Sequence, residues 1–269
     1  MIGGTPGRPK RSLGQNFLVD PNLQRKIVGA LGAGPDDEVL EIGPGRGALT
    51  RHLVGQVRRL VLVEVDDDLA ASLAHEYRGR DDVEVVHGDV LEVSIADHVE
   101  NSDSLLVIGN IPYNITTPII FRLLERPRPR GIVLMVQEEV ADRIVARVGT
   151  KAYGALSIGV RSVARVERVF KVRRGAFRPV PGVDSAILRI TPMHPEPLGP
   201  AEERRLRRLV RAAFQWRRKQ LRRILRDHPD LGFPEDVFEQ AAADSGVSLA
   251  DRPERLTPEE FIALAVALP

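Results

Sequence analysis

The tetrapeptide Asn110-Ile111-Pro112-Tyr113 combines an amide, a rigid turn and an aromatic face, directly behind the apolar run 105–108. Proline fixes φ in that turn and has no N–H, which leaves carbonyl acceptors nearby. Asn110 offers a side-chain oxygen and Tyr113 a flat π surface. Such a set can grip the exocyclic amine of a planar base. The N6 amine of adenine is a poor nucleophile, because its lone pair is delocalised into the ring. Two acceptors, the Asn110 oxygen and a backbone carbonyl near Ile111 or Pro112, can hold both amine protons. They favour a more tetrahedral nitrogen whose lone pair points at a methyl donor. No strong general base is then required, since the methylated, cationic nitrogen is acidic. Tyr113 is expected to stack on the base, which must leave its helix or loop to arrive there. A second rigid segment, FRPVPGVDS at 177–185, offers Phe177 as a stacking partner on the opposite face. The competing reading of Phe177 is an ordinary hydrophobic plug.

A glycine loop supplies the second half of a two-ligand site. The run EVLEI at 38–42 leads into Gly43-Pro44-Gly45-Arg46-Gly47-Ala48. Glycines behind a first strand allow a tight turn and close backbone approach to a ligand. The loop satisfies the dinucleotide pattern GxGxxA through Gly43, Gly45 and Ala48. Glu64 ends the next strand, where an acid accepts hydrogen bonds from ribose hydroxyls. Asp89 follows the third. Glu41, Gly43, Glu64, Asp89 and Asn110 thus all fall at the carboxyl ends of strands, where open α/β sheets bind ligands. A dinucleotide would set its pyrophosphate on a helix N-terminus. An adenosyl sulfonium has no phosphate, is cationic near the transferred group and suits an acid-rich pocket. The glycine loop does not choose between them; the turn after the fourth strand does.

These residues need a parallel sheet to position them. The runs 38–42, 60–65, 83–87, 105–108 and 132–136 are rich in Val, Ile and Leu. Near-continuous apolar character is how parallel strands covered on both faces read. Helical stretches at 49–55, 67–76 and 118–125 lie between them, which predicts βαβ units and a doubly wound α/β sheet. Two further runs, 164–172 and 185–191, are candidates to close its edge. Residues 191–200 hold four prolines and read as a linker. Beyond it, 201–227, 234–245 and 258–268 read as helices. Thr257 is placed as a cap, with Pro258 in the first turn and Glu259 and Glu260 near the positive dipole end. The expected organisation is a flexible basic tail over 1–11, a catalytic α/β domain over 12–193 and a small all-α domain over 200–269.

Composition sets the outer bounds. The chain has 269 residues, 43% hydrophobic and 28% charged, as soluble globular proteins do. No apolar run reaches the length of a membrane span, and the first residues have no apolar core behind their charges, so no secretory signal is expected. With no cysteine, disulfides, thiolate metal sites and thiol nucleophiles are excluded. The six histidines lack ligand spacing, and no metal site is expected. A reducing, cytoplasmic location fits. Net charge is only +2, but residues 201–226 carry eleven Arg and Lys against Glu202 and Glu203. Localised basic charge is the footprint of a polyanion partner.

Four ordered segments carry a resemblance: RSLGQNFL from Arg11, EIGPGRGALT from Glu41, GNIPYNITTP from Gly109 and FRPVPGVDSAILRI from Phe177. Together they resemble the ribosomal RNA adenine N6,N6-dimethyltransferases, over nearly the whole chain. The likeness is greatest to the bacterial small-subunit type, through FQWRRK at 214–219 and RPERLTPEEF at 252–261. The resemblance implies a Rossmann-like class I S-adenosylmethionine-dependent methyltransferase domain and a C-terminal helical domain on rRNA. It implies that Asn16 and Leu18 border the S-adenosylmethionine site, that the Gly43 loop passes its amino-acid portion, that Glu64 takes its ribose hydroxyls and that Asp89 faces its adenine. It sets Asn110 between cofactor and target amine, with Tyr113 and Phe177 on the target base, and S-adenosylhomocysteine as product. Arg217, Arg218, Lys219 and Arg222 are expected against rRNA phosphates, which position RNA without specifying sequence. The implied substrate is two adjacent adenosines in the 3′-terminal hairpin loop of 16S rRNA within the small ribosomal subunit. A role late in small-subunit assembly follows from the same likeness; a monomer is expected, and no membrane association, since no apolar run spans a bilayer. Ile111 departs from it, since Leu is commoner there, and Ile is seen more in the erythromycin-resistance type acting on the large subunit. Other readings are an NAD-type oxidoreductase, resting on the glycine loop and Glu64 alone, a DNA adenine methyltransferase without its recognition domain, and a non-catalytic RNA-binding assembly factor.

Overall fold

The computed structural model describes residues 14–269; the expected basic tail over 1–11 and the start of the first resembling segment lie outside them. The described chain runs β1 (Phe17–Leu18), α1 (Pro21–Leu31), β2 (Glu38–Ile42), α2 (Thr50–Leu53), β3 (Arg59–Glu64), α3 (Asp67–Glu76), β4 (Val83–His87), β5 (Leu106–Asn110), α4 (Thr116–Leu123) and β6 (Gly131–Gln137). It continues with α5 (Glu138–Ile144), α6 (Ala155–Arg161), β7 (Ala164–Val172), β8 (Phe177–Arg178) and β9 (Ser185–Pro192). The last third holds α7 (Pro200–Gln215), α8 (Leu221–Asp227), α9 (Glu235–Ser245) and α10 (Pro258–Ala267). Among the described residues, no helix is long and apolar enough to cross a membrane.

Seven strands form one sheet in the order β4-β3-β2-β5-β6-β9-β7. The first five are mutually parallel, and β9 returns antiparallel to β6. This is the doubly wound α/β architecture expected, with the two later runs at the edge where they were placed. Val39, Val61, Leu62, Val107, Ile108, Leu134 and Met135 are essentially inaccessible, so the continuous apolar runs mark strands covered on both faces. Strand order reverses between β2 and β5, the neighbouring strands that diverge in sequence direction. Their carboxyl ends therefore open the crevice in which such sheets bind ligands. Gly109 is required there: a Cβ on it would stand 2.8 Å from the Ile42 carbonyl oxygen, closer than any side chain is tolerated.

Helix α1 and the two-stranded ribbon of β1 with β8 were not anticipated. The local signals for α1 are present, however: Asp20 accepts from the Asn22 and Leu23 N–H groups, Pro21 opens the helix and Gly32 closes it in the left-handed region. The ribbon pairs Leu18 with Phe177, and it sets the segment before it across the sheet's carboxyl edge.

The chain divides into two compact units, one running through Ala141 and resuming at Glu167–Pro192, the other made of Asp142–Val166 and Met193–Pro269. The expected division at 193–200 captures the last crossing only. Residues 142–166 belong to the helical unit because Ala146, Tyr153 and Ile158 are part of its core, with Leu209, Ile224, Phe238 and Phe261. The Tyr153 hydroxyl donates to the Leu256 carbonyl at 2.7 Å. The supposed linker is itself partly structural: β9 runs to Pro192, and Leu198 is buried in the helical core.

The single helix expected over 201–227 is two. The chain breaks after Gln215 because the N–H groups of Leu221 and Arg222 find acceptors in Asp251 and Leu249 rather than in a preceding turn. The cap expected at Thr257 is present as a reciprocal box, Thr257 Oγ1 accepting from the Glu260 N–H and Glu260 Oε2 from the Thr257 N–H.

Candidate active site

One pocket in the first unit gathers the carboxyl ends of β2, β3 and β5, the glycine loop and the segment 14–18. Gly43, Gly45 and Gly47 all have φ between 59° and 69°, the left-handed region that side chains with a Cβ rarely enter. The loop is also packed close, since a Cβ on Gly45 would sit 3.2 Å from the Phe17 ring.

Glu64 fixes this loop. It is 5% exposed, and its Oε2 accepts the Gly45 N–H at 2.9 Å while its Oε1 accepts the Asp66 N–H at 3.0 Å. Burial raises its carboxyl above the usual range, and the two backbone N–H groups oppose that rise. A carboxylate has about four lone-pair sites, so each oxygen retains capacity for a ligand hydroxyl. Asp66 beside it caps α3 and takes Gln15 Nε2 on its Oδ2 at 2.8 Å. Asp89 lines the pocket half-buried, with Oδ1 engaged by the Leu91 N–H.

Glu41 stands deeper, 1% exposed, accepting the Thr50 hydroxyl at 2.7 Å. Burial pushes its carboxyl up to about 8; the Thr50 hydrogen bond opposes this and the nearby Glu64 adds to it. The folded chain therefore keeps a proton that the unfolded chain surrenders above its ordinary value of 4.5. Stability is full below that value and declines as pH rises toward about 8. The raised carboxyl of Glu64 acts with the same sign. Glu41→Gln, which stays neutral, is expected to remove most of this slope, on the order of a few kcal/mol between pH 5 and pH 8. Denaturant midpoints of both proteins at pH 5, 6.5 and 8 check it; equal slopes would refute the assignment.

Asn110 ends β5 at the pocket. Its Nδ2 donates to the Asn16 carbonyl at 3.1 Å, and Oδ1 has no partner among the described residues. The Pro112 carbonyl is occupied by the Ile115 N–H and the Thr116 hydroxyl. Of the two backbone acceptors considered from sequence, the Ile111 carbonyl is the one left. Tyr113 lies in a short turn of 3₁₀ helix on the pocket wall, its hydroxyl 2.6 Å from Ser185 Oγ. Burial raises its phenol, partly offset by that hydrogen bond. The site thus brings together Asn16, Leu18, Gly43, Glu64, Asp89, Asn110 and Tyr113.

Phe177 is a correction. It is 0% exposed and belongs to the core of the first unit with Leu18, Val172 and Ile187. It is not among the residues lining the pocket. A ring enclosed on all sides has no face to offer a base, and burying it is worth about 1.5–3 kcal/mol. The hydrophobic-plug reading holds, and the ring supports β1 through Leu18.

Gln15, Phe17 and Arg46 also line the pocket, and Ser185 stands behind Tyr113, none of them singled out by residue type or spacing. Arg46 lies over the Phe17 ring, 4.4 Å from its centroid, at the pocket. The signal for Gln15 and Phe17 was their place beside Asn16; Ser185 closed a segment already singled out for its prolines.

In the helical unit the four expected phosphate contacts part ways. Arg217 is spent internally, donating to the Lys151 and Thr150 carbonyls at 3.1 and 3.0 Å. Arg222 is paired with Glu235 and Glu239 at 2.8 and 2.6 Å, so its charge is largely cancelled. Arg218 and Lys219 are exposed, and their side chains have no partner among the described residues.

The pocket suits S-adenosylmethionine better than a dinucleotide. Its charged lining is mostly acidic, with Glu64 and Asp89 facing a cavity otherwise walled by Ile42, Leu49, Val63 and Val90. A cationic nucleoside is favoured there and a pyrophosphate is repelled.

Comparison with known proteins agrees. A family model described as ribosomal RNA adenine dimethylase matches residues 8–266. The chain is 41% identical over 264 residues to a ribosomal RNA small subunit methyltransferase A of Geobacter metallireducens, covering 97% of this chain and 96% of that one. A protein of the same name from Geobacillus thermodenitrificans is 40% identical, with 98% and 96% covered. Among solved structures, a dimethyladenosine transferase from Plasmodium falciparum superposes with a TM-score of 0.77 at 28% identity, covering 92% of this chain and 95% of that one. The 23S rRNA methyltransferase ErmE gives 0.71 at 30%, with 94% and 99% covered.

Proposed function

The chain belongs to the ribosomal RNA adenine dimethylase family, and from that premise we propose that it dimethylates N6 of two adjacent adenosines in the 3′-terminal hairpin loop of 16S rRNA. It is an S-adenosylmethionine-dependent rRNA methyltransferase. The cofactor, when bound, supplies an electrophilic methyl group on a sulfonium centre. Asn16, Leu18, the Gly43 loop, Glu64 and Asp89 would hold it, Glu64 by accepting from its ribose hydroxyls and Asp89 on the side of its adenine. The small subunit is preferred to the large one because relatives named for it are 41% and 40% identical over nearly the whole chain, and because the dimethyladenosine transferase superposes with a TM-score of 0.77 against 0.71 for the 23S enzyme. The enzyme works as a cytoplasmic monomer and takes part late in small-subunit assembly.

The observation that carries this reading is the amide of Asn110. Its nitrogen is tied to the Asn16 carbonyl, which dedicates the oxygen to a donor from outside. In the first transfer the target amine gives one proton to that oxygen and the other to the Ile111 carbonyl; in the second, the monomethylated amine has one proton left for one of the two acceptors. These contacts draw the nitrogen toward tetrahedral geometry. Tyr113 covers one face of the base. The methylated nitrogen is cationic and loses its proton without a strong base. Arg218 and Lys219 meet rRNA phosphates, adding salt-sensitive affinity without sequence choice.

The test is methyl transfer from labelled S-adenosylmethionine to small subunits lacking their 3′-terminal dimethyladenosines, with large subunits in parallel. Dimethyladenosine on the small subunit alone is expected. Label on the large subunit would move the chain to the resistance-type branch.

A further inference from the structure

Tyr113 is the one base-contacting side chain of the proposed site whose polar end reaches another part of the sheet. Its hydroxyl lies 2.6 Å from Ser185 Oγ, across 72 residues of sequence. Ser185 is 0% exposed and does not line the pocket, so it touches neither cofactor nor base. Its position follows from topology. Because β9 is antiparallel to β6, its first residue pairs with the last of β6, Gln137. That register brings Ser185 to the carboxyl edge of the parallel strands, where Asn110 and Tyr113 also stand.

The backbone beneath Ser185 is tied at several points. Asp184 accepts the Arg174 N–H on Oδ1 at 2.9 Å, holds Lys171 Nζ on Oδ2 at 2.9 Å and gives its carbonyl to the Glu138 N–H at 3.0 Å. Glu138 in turn binds Lys171 and Arg168. This network draws together β7, the start of α5 and the entry to β9. A phenol ring hung only from its Cβ can swing about χ1 and χ2. One pinned at its far end as well presents a single face.

We propose that Ser185 is a positioning residue for methyl transfer, holding the Tyr113 ring in the orientation that stacks the flipped adenine with its amine at Asn110. The proposal rests on the adenine N6 reading above and adds the reason Tyr rather than Phe is used at position 113. Ser185 contributes nothing to cofactor affinity and little to docking of the subunit, whose contacts lie elsewhere. Its loss is felt after docking, when the base must settle.

The experiment compares the wild type with Ser185→Ala, Tyr113→Phe, the double variant and Ser185→Thr. Each is assayed for S-adenosylmethionine affinity and for kcat and KM on unmethylated small subunits. Each single removal is expected to lower kcat about two- to tenfold, the usual worth of one hydrogen bond, with KM and cofactor affinity near wild type. The double variant should be no slower than the slower single one, and Ser185→Thr should recover most of the rate. Losses that multiply in the double variant, or an unchanged kcat in Ser185→Ala, would overturn the proposal.

A second readout needs no substrate. The chain has three tyrosines, so 3-fluorotyrosine labelling gives three ¹⁹F signals, with Tyr113 assigned by its loss in Tyr113→Phe. Ser185→Ala should shift and sharpen that one signal as the ring is released, leaving Tyr77 and Tyr153 in place. An unmoved signal would overturn the proposal even if the subunit were not the substrate. A wild-type enzyme that fails to methylate the subunit would count against the proposed function alone.

Discussion

Asn110→Ala is expected to abolish most methyl transfer, lowering kcat by roughly 10²–10³-fold, the cost typical of losing one preorganised polar group from a reacting centre. The amide does two jobs that a methyl group cannot. In the proposed reaction its oxygen takes a proton of the target amine, and its nitrogen holds the Asn16 carbonyl at 3.1 Å. Asn110→Asp is no substitute, because a carboxylate oxygen would then face the Asn16 carbonyl where a donor is needed. It too should be strongly impaired at neutral pH. Subunit binding, proposed above to draw on Arg218 and Lys219 rather than on this amide, should be near normal in both variants. Single-turnover transfer with saturating cofactor separates these effects. An Asn110→Ala enzyme within a few-fold of wild type would mean that the amine is activated by other groups.

Glu64→Gln should weaken S-adenosylmethionine binding by roughly 10²-fold, although the side chains are nearly isosteric. Both Glu64 oxygens already accept backbone N–H groups, from Gly45 and Asp66. An amide has only one acceptor end, so its NH₂ must face one of those N–H groups. The loop is then pushed from the conformation that admits the cofactor, and one acceptor for the ribose hydroxyls is lost. Hydrogen bonds to a charged group are worth about 1.5–3 kcal/mol each, which is the origin of the estimate. Calorimetric titration of the cofactor, with a thermal melt to confirm the fold, measures it. Affinity within threefold of wild type would remove Glu64 from the cofactor site.

The two variants divide the mechanism. Glu64→Gln loses cofactor and so loses rate at ordinary cofactor concentrations, recovering in part when more is added. Asn110→Ala binds cofactor and stays slow at any concentration.

Much of this protein was legible in its sequence, for a physical reason in each case. The parallel strands announced themselves because burial on both faces demands unbroken Val, Ile and Leu. The site was legible because open α/β sheets expose the carboxyl ends of their strands, so the residue ending each run was already a ligand candidate. Gly43, Glu64, Asp89, Asn110 and Tyr113 all meet in one pocket on that principle. Thr257 with Glu260 specified its own helix start, because a capping box closes within four residues of chain.

Contacts between distant segments were decided by tertiary structure alone. Nothing local tells a Phe that it will be enclosed: Phe177 looks like a stacking residue until β8 pairs with β1 and the ring fills the core. The side chains of Arg217 and Arg222 read as free cations until Thr150, Lys151, Glu235 and Glu239 arrive beside them. Residues 142–166 change unit because three apolar side chains find the helical core. Ser185 reaches Tyr113 only because β9 turns back against β6, a register set by the hydrogen-bond ladder of the whole sheet. Periodicity and turn chemistry act over a few residues and are written in the chain. Which side chains are spent on one another is settled when the chain closes on itself.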